Sequence, residues 1–333
     1  MEIFIKSFGA KLTKSEGMFK IETQNDKQTI PVGIVERIHL HEACMVTTDA
    51  VLLALENDIE VVLYNKRGTP KGYFWHGNNF SIAHIRQGQA LFSVSSDAHH
   101  WIVELLTEKL NNQKCFLNKL SKHPDQLVQI KYEQCEAAMQ NAAKSGIPKS
   151  KLRSVEARFA RFYFAMLSCN LPEPYRFEGR SKRPAKDPFN AALNYAYALL
   201  YTKVEAALWR AGLDPYLGIF HANEHRTQAL TFDMIEPFRP WADETVFLLF
   251  KHHTFTPESF EHTEHGVWLT DAGKNILIPF YTERMHQKID YRGKRMSRTN
   301  HIYSYAQAFA SKMKDFYHTH NKNALSYGTT DML

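Results

Sequence analysis

Cysteine is scarce in this chain and never paired at short spacing. The four thiols, Cys44, Cys115, Cys135 and Cys169, form no CxxC, and their spacing fits neither a zinc site nor a disulfide framework. Long apolar runs are missing too. No stretch reaches the roughly 20 residues that a bilayer span requires, and the opening MEIFIKSFGAKL lacks the apolar core of a signal peptide. The expectation is a reduced, cytoplasmic protein with no membrane partner. There is no G-x-G-x-x-G, no P-loop and no G-x-S-x-G, so nucleotide-loop and hydrolase-elbow chemistries have no support. No internal repeat and no low-complexity tract is present, which sets aside solenoids and disordered arrays.

What remains is an ordinary folded composition. The 333 residues are 44% hydrophobic and 23% charged, enough for one large or two moderate domains with real cores. The net charge of +6 permits a polyanionic partner, but where the charge lies matters more than its sum. With 17 histidines, no single one means much without its context.

The hydrophobic period divides the chain. Residues 1–92 read as a β-rich domain: MEIFIKS alternates in period two, and VERIHLH, IEVVLYN and KGYFWHG continue the pattern, with Arg67-Gly68-Thr69-Pro70 punctuating a hairpin. One helix interrupts it, TTDAVLLALENDI, capped by Asp49 or a neighbouring threonine. From about Ser96 the period becomes 3.6, and residues 96–320 read as an all-α domain. The fold class expected is therefore α+β, a small N-terminal β-rich domain followed by a larger helical one. Two amphipathic helices break at His123-Pro124, and the loop SGIPK leads into SVEARFARFYFAML. Asp187-Pro188 opens a helix with aspartate as N-cap and proline at its first position. That helix is apolar on most sides, so it is central. TVFLLFKHHTF and KNILIPFYTERMHQKI read as helices around a short β-like GVWLT. YRGKRMSR reads as a basic knot, and residues 321–333 as a disordered tail.

The most informative stretch is Leu217 to Pro240. It sets His221 just before a short helix with Asp233 and Glu236 at (i, i+3) spacing on one face. A histidine and two carboxylates so placed can converge on one divalent cation. Glu156 lies on the otherwise apolar face of SVEARFARFYFAML, where a carboxylate needs a cation or a hydrogen-bonding partner. The plainer readings are a Glu156 salt bridge to Arg158 or Arg161, a satisfied core histidine at His221, and surface acids at 233 and 236. Together, the placements suggest metal-assisted phosphodiester chemistry with Mg²⁺ or Mn²⁺.

Two basic clusters flank that site in sequence. Arg176, Arg180, Lys182, Arg183 and Lys186 fill a long proline-rich loop, and Arg292, Lys294, Arg295 and Arg298 form the second; with Arg239 they are the candidate DNA contacts. A merely solvated loop is the bland alternative. His39 and His41, on one face of a strand, offer a possible soft-metal pair, weighed against an exposed strand face. The pairs His99-His100 and His252-His253 read as solvated.

The ordered set EGRSKRPAKDPFNAALNYAYALLY, GLDPYLGIFH and DMIEPFRPWAD, preceded by SVEARFARFYF and followed by GVWLT and GKNILIPFYTERM, resembles the CRISPR-associated spacer-acquisition endonuclease and integrase family called "Cas one". The likeness runs over nearly the whole chain. It implies that Glu156, His221 and Glu236 bind Mg²⁺ or Mn²⁺ and that Asp233 is a further acid of the site. Asn190 and Asn194 match a helix that frames the pocket. The β domain is implied to serve dimerisation and DNA end placement.

By the same resemblance, the reaction is transesterification: the 3′-hydroxyl of a captured double-stranded DNA attacks a phosphodiester at the edge of the CRISPR repeat. The implied assembly is a homodimer, two of which bracket a dimer of a small ferredoxin-like companion protein. Other classes stay open: a structure-selective DNA nuclease of repair, a transposon-borne integrase, or a silent DNA-binding scaffold.

Overall fold

Alternation in MEIFI becomes strand β1 (Glu2–Ile5), with Ile3 and Ile5 buried. The computed structural model describes residues 1–65, 70–74, 83–120, 126–144, 149–221 and 227–327. They divide into two units, Met1–Ser81 and Ile82–Leu333. The α+β class holds, with a β-rich start and a mainly helical remainder.

In the first unit β1 pairs in parallel with β5 (Arg37–His41), which pairs in parallel with β7 (Glu60–Tyr64); β8 (Pro70–Phe74) closes the sheet antiparallel to β7. A second sheet has the order β4 (Lys27–Ile30), β3 (Met18–Glu22), β2 (Lys11–Ser15), β6 (Met45–Val46). Between β6 and β7 runs α1 (Thr48–Glu56), with Thr47 at its N-cap and Asp49 in its first turn. Parallel strands are buried on both faces, which is why IEVVLY reads as a continuous apolar run rather than an alternation. His39 of β5 is bonded to the Tyr64 hydroxyl at 2.9 Å and to Glu2 at 3.2 Å, and stacks on Phe4. His41 stacks on Tyr64. The histidine pair is drawn into this sheet as polar and stacking groups. The hairpin turn at Arg67–Thr69 lies outside the described residues, as do 75–80.

The second unit begins with α2 (Ala83–Ser93), ahead of the residue 92 boundary that periodicity suggests. This helix packs on α10 (Arg298–Tyr327). A Cβ at Gly88 would sit 1.9 Å from the Met313 carbonyl oxygen, so only glycine permits the approach. Then follow α3 (Ser96–Leu120), α4 (Gln126–Lys144), α5 (Lys149–Cys169), α6 (Pro188–Arg210), α7 (Ala229–Met234), α8 (Arg239–Lys251) and α9 (Asp271–His286). Asp187 caps α6, accepting the Asn190 N–H at 2.8 Å, with Pro188 at the first helical position. Side chains of α6 from Phe189 to Leu208 are buried around much of its circumference, which makes it the centre of the helical core.

Two hairpins decorate this unit. Phe260–Thr263 (β9) pairs with Gly266–Leu269 (β10), and Lys288–Tyr291 (β11) with Lys294–Ser297 (β12). The second replaces the expected basic knot: Arg292 and Gly293 take the left-handed conformation of a tight turn. The terminal helix extends through Tyr327, into the expected tail; residues 328–333 lie outside the described residues, as does most of SGIPK. No helix of the described residues is long and apolar enough to cross a membrane.

Candidate metal centre

Lys109 is the hub of the site. It lies on the apolar stripe of α3, with Ile102, Leu105, Leu106, Gln113 and Phe116 among the other buried residues of that helix. Its Nζ is 2.5 Å from Oε1 of Glu156 on α5 and 2.6 Å from Oε2 of Glu236. Glu236 opens a 3-10 turn, Glu236–Phe238, that joins α7 to α8 and packs against α3. Asn112, one turn along α3 from Glu108, donates to the Pro237 carbonyl at 2.8 Å and fixes that turn.

Glu236 is spent on both oxygens. Its Oε1 accepts from Arg239 Nε at 2.8 Å, while Oε2 meets the lysine charge without a directed hydrogen bond. Burial pushes this carboxyl up, but the Arg239 and Lys109 charges outweigh it and hold it down at about 2. Burial likewise opposes the Lys109 charge; Glu236 and Glu156 overcome it and raise the lysine above its ordinary value. Two anions and two cations thus share one desolvated cluster. Such a cluster is stable only while its partners stay matched.

His221 is built by a different acid. Asp233, fully buried on α7, accepts the N–H groups of Ile219 (2.6 Å), Phe220 (3.0 Å) and His221 (2.9 Å), and lies 2.6 Å from His221 Nδ1. A carboxylate can only accept, so Nδ1 carries a proton, and in the neutral ring Nε2 is then the nitrogen with a lone pair for a ligand. The turn needs Gly218: a Cβ there would meet the Ala229 side chain at 2.4 Å. Gln89 of α2 also braces it, donating to the carbonyls of Asp214 and Leu217, each at 2.8 Å. From α5, Arg153 donates to the Phe220 carbonyl at 2.9 Å. That arginine precedes Glu156 by one helical turn, so one face of α5 serves both parts of the site.

The expected sharing of one helix face by Asp233 and Glu236 does not occur. Helix α7 ends at Met234, and the chain tightens through Pro237 into the 3-10 turn. Asp233 therefore faces the His221 turn while Glu236 faces Lys109. Among the described residues, the ligand atoms of Glu156, His221 and Glu236 do not form one cluster within 4.8 Å. Glu156 and Glu236 converge on one cation position. His221 stands apart, held by Asp233 with Nε2 available.

Sequence and fold were compared with known proteins. A sequence model of the family described as "CRISPR associated protein Cas1" matches residues 3–283. The chain belongs to the Cas1 family. It is similar to the CRISPR-associated endonuclease Cas1 1 of Archaeoglobus fulgidus, 27% identical over 328 residues that cover 92% of this chain and 94% of the relative. In fold it is similar to TM1797, a CAS1 protein from Thermotoga maritima, with TM-score 0.78 and 20% identity over 94% of this chain and 97% of the other. A casposase bound to integration product gives 0.77 and 16%, over 94% and 90%. A partial Cas6-RT-Cas1–Cas2 complex gives 0.66 and 20%, over 95% and 96%.

Around the centre of this Cas1-family chain, the candidate basic residues take unequal roles. Arg180 is largely buried. It donates to the side-chain oxygens of Asn190 (2.8 Å) and Asn194 (2.6 Å) and lies over the Tyr197 ring. Asn194 in turn donates to the Lys182 carbonyl at 2.7 Å. The two asparagines thus pin the loop at 179–182, leaving Lys182, Arg183 and Lys186 exposed, with Arg176 exposed at its start. Desolvation by the neighbouring protein first, then the charges of Arg239 and Arg180, pushes Lys182 below the usual lysine range, although its side chain reaches solvent.

Arg239 is committed to Glu236 and the Tyr201 hydroxyl. Arg298 is buried, donating to the Arg284 carbonyl and Gln287. Arg292 forks onto Glu108, and Arg295 makes an exposed pair with Asp290, beside exposed Lys294.

Behind the centre lies a residue that pattern reading missed. Asp243 of α8 accepts from the hydroxyls of Tyr197 (2.6 Å) and Tyr163 (2.9 Å), both buried. Burial pushes its carboxyl up to about 6 in spite of those bonds. The Tyr197 ring backs both Arg180 and Arg239 at 5.3 and 4.8 Å. A line of contacts runs from Asp243 through Tyr197 and Arg239 to Glu236.

Proposed function

We propose that this chain is a divalent-metal-dependent DNA integrase and endonuclease of CRISPR adaptation. It joins 3′-hydroxyl ends of captured double-stranded DNA to the CRISPR repeat by transesterification. The observation that carries this reading is the convergence of Glu156, which is partly exposed, and Glu236, which is buried, on a single cation position. Family membership, the endonuclease name of the Archaeoglobus relative and the integration product held by the casposase neighbour support it.

The donors fit Mg²⁺ or Mn²⁺. Two carboxylates offer hard oxygens, and one neutral imidazole nitrogen favours Mn²⁺ of the pair. Glu236 Oε2, buried and without a directed hydrogen bond, faces the Lys109 ammonium at a position that such an ion could take. When bound, the ion supplies Lewis-acid polarisation of a phosphoryl oxygen and charge stabilisation at the reacting oxygens. Glu156 and Glu236 are the groups that would hold it, and His221 Nε2, which stands apart from them, would join the set by moving into reach.

The chain's own residues do the rest. Asp233 keeps the proton on Nδ1 and the ring in place, so His221 presents a lone pair and not an N–H. Arg239 orients Glu236. Lys182, Arg183 and Lys186, on a loop pinned by Asn190 and Asn194, offer charge to the DNA backbone without reading bases. In the reaction the attacking 3′-hydroxyl loses its proton to solvent as its oxygen bonds to the repeat phosphorus, and the bond from that phosphorus to the repeat's own 3′-oxygen breaks, that oxygen taking up a proton from solvent. The number of phosphodiester bonds is unchanged, and no covalent enzyme intermediate is required. The partners proposed are DNA, a second copy of this chain and the small ferredoxin-like companion; the Cas1–Cas2 complex with a similar fold supports the last.

The test mixes a labelled duplex, a supercoiled repeat plasmid, Mn²⁺ and the companion protein. Wild type should transfer label to plasmid, and Glu156→Ala, His221→Ala and Glu236→Ala should each lose at least about a hundredfold. Normal joining by any variant removes that residue from the site. Nicking or branch cleavage without joining turns the assignment to a structure-selective nuclease.

A further inference from the structure

Glu236 has two carboxylate oxygens and both are engaged, Oε1 by Arg239 and Oε2 by Lys109. Glu156 Oε1 faces the same ammonium. Any divalent ion that ligates both glutamates must therefore meet the Lys109 charge where it now stands. Arg239 is anchored besides by the Tyr201 hydroxyl and two aromatic rings. Among the described residues the Lys109 ammonium is held by Glu156 and Glu236 and by no second anchor, on a stem of four methylenes that can withdraw along α3.

We infer that Lys109 is a positioning residue that occupies the cation position between Glu156 and Glu236 and yields it to the incoming divalent ion. The inference rests on the metal-dependent reading above. In the metal-free protein the ammonium offsets the repulsion between the buried Glu236 carboxylate and the half-buried Glu156 and keeps them converged. On metal entry it must leave both oxygens, so it lowers metal affinity while preserving the geometry that the metal needs. A lysine suits this exchange better than arginine, because a compact ammonium retreats by rotamer changes whereas a forked guanidinium stays committed to its carboxylate. Withdrawn from the glutamates, the ammonium remains a cation beside the centre, where an anionic phosphate oxygen of DNA is its natural next partner.

The experiment titrates the purified protein with Mn²⁺ alone at pH 8, following free Mn²⁺ by electron paramagnetic resonance and the thermal midpoint in parallel. Binding that disappears in Glu236→Gln defines the site. Lys109→Met, similar in length and uncharged, should bind Mn²⁺ at that site about tenfold tighter or more. Its thermal midpoint should fall without metal and rise with Mn²⁺ by more than that of wild type. Lys109→Arg should return the affinity to the wild-type value or weaker. A lysine serving only as a fixed structural pair would instead give unchanged or weaker Mn²⁺ binding in Lys109→Met, and that result overturns the inference while leaving the metal reading intact. Absence of Glu236-dependent Mn²⁺ binding in wild type overturns both. Should Lys109→Met not fold, Lys109→Gln keeps a donor without charge, and the same tightening is required of it.

Discussion

Asp233 holds His221 twice, through its backbone N–H at 2.9 Å and through its ring Nδ1 at 2.6 Å. The same carboxylate also accepts from Ile219 and Phe220, so it fixes the whole turn that presents the imidazole. Asp233 therefore acts through His221. Asp233→Asn inserts an amide that must turn donors toward N–H groups already pointing at it. The expected result is a 10–100-fold loss of Mn²⁺ affinity and strand transfer, the usual effect of removing the group that orients a metal ligand. Strand-transfer rates measured across Mn²⁺ concentrations check this. Recovery at saturating Mn²⁺ would place the defect in affinity, and wild-type behaviour throughout would detach Asp233 from the site.

Gly218 makes a second demand on that turn. An added methyl would meet the Ala229 side chain at 2.4 Å and the His221 carbonyl at 2.9 Å. Gly218→Ala should therefore cost about 1–3 kcal/mol of stability, the range for overpacking. It should also lose strand transfer in excess of any loss of folded protein. Denaturant melts and activity at matched folded fraction separate the two. A variant as active per folded molecule as wild type would show that the turn relaxes without moving His221.

Much of this was legible from residues alone. Glu156 and His221 stand out in the sequence as polar groups against apolar surroundings, Glu236 by its spacing from Asp233, and the Asp187-Pro188 start of α6 by its capping chemistry. Lys109 escaped notice because a lysine in an amphipathic helix is ordinarily solvated; only its place on the stripe with Ile102, Leu106 and Gln113 marks it as buried. Asp233 and Glu236 were read as one helical face because (i, i+3) spacing assumes a continuous helix. Pro237 ends that continuity. The parallel β1–β5–β7 sheet was out of reach of periodicity, which identifies strands but not their partners. Gln89 and Asp243 were invisible for another reason: they act across 125 and 46 residues of sequence.

The proline-rich loop permits a prediction about DNA. Lys182 and Arg183 are exposed, while Arg180 is committed to Asn190 and Asn194. Replacing Lys182 and Arg183 together by alanine should weaken duplex binding uniformly across sequences and lower the salt dependence by about two counterions. Arg180→Ala should instead destabilise the loop, lowering the thermal midpoint. Binding isotherms over a range of salt decide between them. An unchanged salt slope in the double variant would remove this loop from the DNA path.

Asp243 sets a pH dependence of opposite sign to that of a salt-bridged carboxylate. Burial raises it from 3.8 to about 6 in the folded protein, although Tyr197 and Tyr163 donate to it. A raised acid binds its proton more tightly folded than unfolded. Its contribution is therefore fully present below pH 3.8 and is lost as pH rises through about 6. Asp243→Asn keeps a group able to bond both hydroxyls and removes the titration. The stability of wild type minus that of Asp243→Asn should fall by about 2 kcal/mol between pH 4 and pH 7. Taking the difference cancels every other group that titrates in the window. Denaturant melts of both proteins at pH 4, 5, 6 and 7 measure it. A flat difference would mean that the two tyrosine hydroxyls keep Asp243 ionised throughout, and the line from Asp243 through Tyr197 and Arg239 to Glu236 would then carry a constant charge rather than a pH-dependent one.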